Sequence, residues 1–328
     1  MMTVSLAFIT IFILIIIELI FFKIATYYNI TDHPNARSSH IDVTIRGGGI
    51  IFPLSFVLYC LYFGANYTFF LWGLFLISFI SFADDIRPVN NKLRLFIHLV
   101  AVSLLFYQVD LSSLPWYFIL FAFFFTIGTI NAINFMDGIN GITGGYALIT
   151  LVSLYLINTF IVQFSDDNLL IMSIFAVIVF NFFNFRKKAR CFAGDVGSIS
   201  VGFIIVYFIL SLIIKTQNFN YVLLLLVYGL DTVSTIGFRI IRKEKIMEPH
   251  RSHFYQFLSN EKGWPQLNVA LLYIIAQTII NLLLVFSNVQ SIWVMLCVIF
   301  VLGIVFVKMR FVFEGTEKLL KKALDFMI

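Results

Sequence analysis

Long unbroken apolar runs, parted by short polar stretches, dominate the 328-residue chain. Their hydrophobic positions neither alternate as in a half-buried strand nor gather into the single stripe of a soluble amphipathic helix. About eleven such runs, near residues 4–22, 47–63, 68–83, 95–109, 115–135, 142–162, 168–184, 199–214, 220–240, 267–286 and 291–307, approach the ~20 apolar residues that a helix needs to cross a bilayer. Hydrocarbon offers bare backbone no hydrogen-bond partner, and continuous runs do not suit the alternating strands of a barrel, so these segments are expected to be helices. The expected fold is therefore all-α, a polytopic membrane helix bundle of about eleven transmembrane helices.

Composition agrees: 61% hydrophobic residues, 40 phenylalanines and only 12% charged side chains could not cover a water-facing surface. Charge then supplies orientation. Of the 22 Lys and Arg residues, every one but Lys215 falls after runs 1, 3, 7, 9 or 11. Basic residues are retained in the cytoplasm, which places the N-terminus outside and the C-terminus inside. The first run has no basic n-region or small-residue cleavage site and reads as an anchor rather than a signal. The three cysteines (Cys60, Cys191, Cys297) show no metal or disulfide spacing. A transmembrane body over 1–310 is expected to end in an amphipathic helix at the inner surface over 311–328, where leucines recur at helical spacing opposite lysines.

Reactive groups collect on the inner side. All five histidines and most carboxylates lie in or beside the inner loops. Asp84 and Asp85 close the third run; neighbours on a helix point about 100° apart, so both address one ligand only if the helix frays there. Held together, they favour a divalent cation or force one carboxyl to act as a base. In "NAINFMDGINGITGG", Asn131, Asn134 and Asp137 share one helix face, which suits a wet cavity or polar contact between helices. In "CFAGDVGSISVGF", Asp195 stands between Gly194 and Gly197, and Ser198 is placed to cap the next helix, whose N–H groups would meet an anion. His250 and His253 in "PHRSHFYQ", one helical turn apart and flanking Arg251, suit phosphate oxygens better than zinc. Asp231, inside the ninth run with Arg239 two turns on, is a candidate by its cost alone. The first inner loop adds Asn35, Arg37 and Arg46 before three glycines, a setting for an anion.

Taken in order, "DHPNARSSH…RGGG", "FADD", "NAINFMDGINGITGG", "CFAGDVGS", "LDTVSTIGFRIIR" and "HRSHFYQ" resemble the motifs of the bacterial polyprenyl-phosphate N-acetylhexosamine-1-phosphate transferases, of the glycosyltransferase 4 type, over residues 32–256. The resemblance implies an enzyme of the bacterial inner membrane with its active site facing the cytoplasm. It would transfer an N-acetylhexosamine 1-phosphate from a UDP-sugar to undecaprenyl phosphate with Mg²⁺ or Mn²⁺ and release UMP. Carried over residue by residue, Asp84, Asp85, Asp137, His250 and His253 become the catalytic set and Asp137 and Asp195 the metal ligands. Asn35, Arg37, Arg46, Asn131, Asn134, Asn140, Gly194, Ser198, Asp231 and Arg251 would contact substrate. Asn140 stands where many relatives carry a second Asp, and the block "HRSH" lacks a run of adjacent histidines. The missing charge at Asn140 bears on a nucleoside or substrate contact, while the histidine block resembles members that start O-antigen or related surface polysaccharides, often with a 6-deoxy sugar, rather than the phospho-MurNAc-pentapeptide translocase. The expected partners are the two substrates, membrane lipid and a second copy of the chain in a homodimer, with no nucleic acid. Direct attack is favoured over an aspartyl intermediate, since a lipid phosphate brings its own nucleophile and needs positioning more than covalent help. The rival reading is a polytopic transporter, which would also bury polar residues but would spread them through the membrane's depth.

Overall fold

The computed structural model describes residues 2–34, 42–111, 115–245, 250–287 and 290–324. Among them run helices α1 (Val4–Tyr27), α2 (Ile51–Phe63), α3 (Thr68–Ile86), α4 (Asn91–Gln108), α5 (Trp116–Phe135), α6 (Ile142–Phe160), α7 (Asp167–Asn184), α8 (Gly194–Thr216), α9 (Leu226–Ile241), α10 (Phe254–Asn260), α11 (Gln266–Ser287), α12 (Ile292–Glu314) and α13 (Thr316–Leu324). The chain is a polytopic all-α membrane protein. Nine helical segments among the described residues are long and apolar enough to cross a bilayer. The apolar helix Gly48–Phe63 is shorter, and α4 opens on a polar turn holding Lys92 and Arg94.

Burial ranks the helices. Within the protein 89% of the apolar window of α8 is covered, against 6% for α12, so α8 is the axis of the bundle and α12 faces lipid. The axis packs against α2, α3, α5 and α6. The segment Phe219–Leu225 before α9 is a 3₁₀ turn, whose backbone groups lipid could not satisfy. Gln277 of α11 bridges the break: its Nε2 donates to the Leu223 carbonyl at 2.8 Å, and its Oε1 accepts the Val227 N–H at 2.9 Å.

Two boundaries depart from the apolar runs. Helix α3 continues to Ile86, so Asp84 and Asp85 lie in its last turn without fraying. Helix α8 begins at Gly194, five residues before the apolar run, which draws Asp195 into its first turn. Both extensions are polar turns held by tertiary partners rather than by apolar burial. At the other end α12 runs on to Glu314, and Gly315 (φ 82°) breaks the chain before α13, so the division expected after residue 310 lies at Gly315. Helix α13 docks on the protein: Leu319 is buried, Lys318 pairs with Glu261, and Arg242 reaches the Leu319 carbonyl.

The loop after α1 is stitched to the start of α8. Strand β1 (Thr31–Asp32) pairs antiparallel with β2 (Thr44–Ile45), and Ile45 bridges to Cys191. The N–H groups of Gly48 and Gly49 then donate to the carbonyls of Phe192 and Ala193 at 2.9 and 3.1 Å. Only glycine allows this approach, because a Cβ on Gly49 would lie 2.1 Å from the Gly197 Cα. In detergent, Gly49→Ala is expected to cost about 1–3 kcal/mol and lower the thermal midpoint, since backbone meets backbone and cannot yield. Gly303→Ala in α12, where the nearest atom is the Leu230 Cδ2 at 3.8 Å, is the control expected to hold or raise it.

Candidate active site

Adjacent helical carboxylates must look in different directions, and these two do. Asp85 turns inward. Its Oδ1 accepts from Arg46 Nε at 2.6 Å and from the Asp195 N–H at 2.9 Å, and its Oδ2 accepts from the Val196 N–H at 2.9 Å. The side chain has no exposed surface. It is thus the anion at the N-terminus of α8, supplied from another helix. Gly194 is required at this junction: its φ is +70°, and a Cβ there would lie 2.6 Å from Asp85 Oδ2. The expected cap, Ser198, instead sits in the second turn of α8 and donates back to the Gly194 carbonyl at 2.9 Å. A free anion site at this helix start is therefore corrected to one already filled by Asp85.

Asp84 turns toward α4, accepting the Val89 N–H and Arg94 Nη1, both at 2.7 Å. Asp195 lies between the two arginines, its Oδ1 3.5 Å from Arg46 Nη2 and its Oδ2 3.6 Å from Arg94 Nη1. Asp84 and Asp195 keep 15% and 20% of their side-chain surface exposed, so they, not Asp85, are open to the surroundings. Burial works against the Arg46 guanidinium, but the charges of Asp85 and Asp195 outweigh it and hold its pKa above the ordinary value. Asp137 stands in the turn after α5, where burial, reinforced by the negative charges of Asp195 and Asp85, pushes its carboxyl up to about 7.

A second cluster forms around Asp231, which is wholly buried. Its carboxylate accepts from Tyr273 OH at 2.6 Å, the Phe254 N–H at 3.0 Å, Thr235 Oγ1 at 3.1 Å and the Tyr255 N–H at 3.2 Å, and His253 Nδ1 lies 3.3 Å away. Direct contact with substrate, expected of Asp231, is thus closed by its own neighbours. The Arg239 Nε lies 3.2 Å from Glu244 Oε2. His250 and His253 are not on one helical face either, because α10 begins only at Phe254. Their rings nonetheless lie 5.0 Å apart. Burial, with the charges of His253 and Arg239, pushes His250 down to about 4, so it is a neutral imidazole at pH 7.

The remaining candidates are dispersed. Asn131 donates to the Ile127 carbonyl of its own helix, and the Asn134 carbonyl accepts the Asp137 N–H. Arg251 lies between the two histidines, ahead of α10 and outside any helix or strand. Asn140 lines a cavity of about 430 Å³ with Asp42, Lys187, Lys188, Phe192 and Gln266, and its Nδ2 donates to the Arg186 and Lys187 carbonyls. Asn35 and Arg37 lie outside the described residues. Sequence reasoning missed Arg94, counted only as an orienting charge ten residues from its partner. It also missed Arg310, whose place in α12 no inner-loop count reveals. Glu18 is a third omission, an acid buried in α1 with the Cys191 thiol 3.6 Å from its Oε1. A carboxyl within an apolar run was the signal that could have found it.

Residues 67–213 match the family model of glycosyl transferase family 4, a span from α3 to α8 that holds Asp84, Asp85, Asp137 and Asp195. The chain is also 27% identical over 305 residues to the probable undecaprenyl-phosphate N-acetylglucosaminyl 1-phosphate transferase of Bacillus subtilis (strain 168), covering 85% of this chain and 83% of the relative. The geometry separates the adjacent acids by their work. Asp85→Asn, which removes the charge beside Arg46 and turns an amide NH2 toward a backbone N–H that the carboxylate had accepted, is expected to cost about 3 kcal/mol of stability. Asp84→Asn should cost less than half as much, the comparison being made by thermal unfolding in detergent.

Proposed function

We propose that this chain is a glycosyl transferase family 4 enzyme that transfers an N-acetylhexosamine 1-phosphate from a UDP-sugar to undecaprenyl phosphate at the cytoplasmic face of a bacterial membrane. The observation that carries the reading is the gathering of Asp84, Asp137 and Asp195, from three elements, around Arg46 and Arg94 at one end of an apolar bundle. A lipid phosphate can approach from the side and a nucleotide from the water. The cavity beside Phe192 and Asn140, about 430 Å³, suits the nucleoside portion by size and by its mixture of one aromatic ring with amides and lysines.

In the proposed reaction an oxygen of the lipid phosphate attacks the sugar-bearing phosphorus of the UDP-sugar, the bond from that phosphorus to the bridging oxygen breaks, and UMP leaves with the electron pair. Asp84, the more exposed of the adjacent pair, takes the proton where the lipid phosphate carries one. Arg94 and Arg46 exchange carboxylate for phosphate oxygens and draw charge as the leaving group departs. The neutral His250 donates one hydrogen bond to a phosphate oxygen. Oxygen-only donors fit Mg²⁺, or Mn²⁺, and the described residues hold no ready-made set of three metal-binding side chains, which fits an ion that keeps waters and substrate phosphates as ligands. Asp195 and Asp137 would hold it, and it would neutralise the diphosphate. The relative's name makes N-acetylglucosamine the first sugar to try, and a 6-deoxy N-acetylhexosamine starting an O-antigen or similar polysaccharide the next.

Proteoliposomes holding the protein, undecaprenyl phosphate, Mg²⁺ and a panel of UDP-N-acetylhexosamines are expected to release UMP with at least one sugar. Asp195→Asn and Asp84→Asn should lower turnover by about 100-fold or more. No release with any sugar would overturn the reading in favour of a transporter.

The Asp137 carboxyl yields a second check. Below about pH 7 it holds a proton that a cation must displace, so cation affinity should rise with pH. Mn²⁺ titration calorimetry is expected to show tighter binding at pH 8 than at pH 6, by up to about tenfold per unit below the pKa. Asp137→Asn should flatten that dependence.

A further inference from the structure

The buried cluster around Asp231 is linked through α10 and the Tyr255 hydroxyl to the 135–138 turn that carries Asp137. The two N–H groups that Asp231 accepts, from Phe254 and Tyr255, open α10, so this carboxylate fixes where that short helix starts. Tyr273 of α11 and Thr235 of α9 lock its orientation. Arg310 of α12 steadies the same frame from behind, donating to Thr235 Oγ1 at 2.8 Å and to the Ser252 carbonyl at 2.9 Å. From α10 the line runs on to the site. The Tyr255 hydroxyl donates to the Phe135 carbonyl, the last of α5, at 3.0 Å. A Cβ on Gly138 would fall 2.2 Å from the same hydroxyl oxygen, so the turn rests directly on it. The rings of His253 and His250 lie 6.4 and 6.1 Å from that of Phe135. Asp137 is held between the two points that Tyr255 touches.

Within the turn the Met136 N–H donates to Ala132 at 3.0 Å, and the Asp137 N–H to Asn134 and the Gly138 N–H to Met136, both at 3.1 Å; Met136 is buried, and glycines follow at 138 and 141. A misplacement of about 1 Å at a reacting centre costs on the order of 100-fold in rate, so a mobile Asp137 would be a poor ligand or base.

We infer that Asp231 is a positioning residue: through α10 and the Tyr255 hydroxyl it sets the place of the 135–138 turn and hence of Asp137. The inference rests on the proposed function only for what Asp137 does once placed. Tyr255→Phe removes the crossing hydroxyl and keeps the ring; Asp231→Asn keeps the volume and loses the double acceptor. With the full chain in nanodiscs, Tyr255→Phe is expected to raise amide hydrogen exchange at 136–138 by about tenfold, leaving α8 exchange and the thermal midpoint unchanged. Turnover should fall by roughly 10- to 100-fold with KM for the UDP-sugar within about twofold. Asp231→Asn should loosen the same amides while also lowering the midpoint. The double variant should turn over no more slowly than the slower single one, because both act along one line. Unchanged exchange at 136–138 in Tyr255→Phe, or losses that multiply in the double variant, would overturn the inference. Raised exchange in a protein whose wild type releases no UMP would uphold the positioning and sink the transferase reading instead.

Discussion

The junction between Asp85, Arg46 and the first N–H groups of α8 holds the working end of this protein together. It joins parts of the chain that are 39 and 110 residues apart, and it does so where the surroundings change from lipid to water. Three donors converge on one fully covered carboxylate, and each is stronger for the low dielectric around it. The close approach of Gly49 to Gly197 and the positive φ of Gly194 follow from the same demand: a loop, a helix end and an acid must share a space that no additional side chain can enter.

Asp231 repeats the device on the other side of the site. There too an acid within a membrane helix receives the opening N–H groups of another helix, here α10, and is sealed from solvent. Asp85 and Asp231, whose side chains have no exposed surface, fix helix ends, while Asp84, Asp137 and Asp195 are left partly open. Burial and partners draw this division; residue type does not, because Asp84 and Asp85 are chemically identical neighbours.

The helices were legible as apolar runs because a bilayer demands little beyond length and hydrophobicity. Their polar ends were not. Helix α8 starts five residues before its apolar run, since the N–H groups of Asp195 and Val196 are satisfied by a carboxylate from α3 that no local pattern announces. Ser198 looked like a cap for the same reason: the eye places a helix start where grease begins. The convergence of acids from separate motifs followed from their shared membrane face, but partners did not. Arg94 and Arg310 resemble any other inner-side cation until the fold turns them toward Asp84 and toward Thr235. The spacing of His250 and His253 suggested a helix, whereas the covered Asp231 fixes the start of α10 one residue beyond them.

Like charges crowd this site, and the manner of their neutralisation bears on how it would work. Arg46 and Arg94 each bridge Asp195 to one member of the α3 pair, so those three acids are screened by two cations while Asp137, at its raised pKa, carries a proton much of the time near neutrality. On the proposed reading a diphosphate competes for the arginines, and every guanidinium it draws away leaves a carboxylate exposed to its neighbours' repulsion. A divalent cation held by Asp195 and Asp137 would relieve that repulsion and take the place of the Asp137 proton. Nucleotide and cation should therefore each strengthen the other's binding, a coupling that is reciprocal by thermodynamic necessity. On that reading the arginine bridges act as place-holders, keeping those three acids within one site until a charged substrate calls for them.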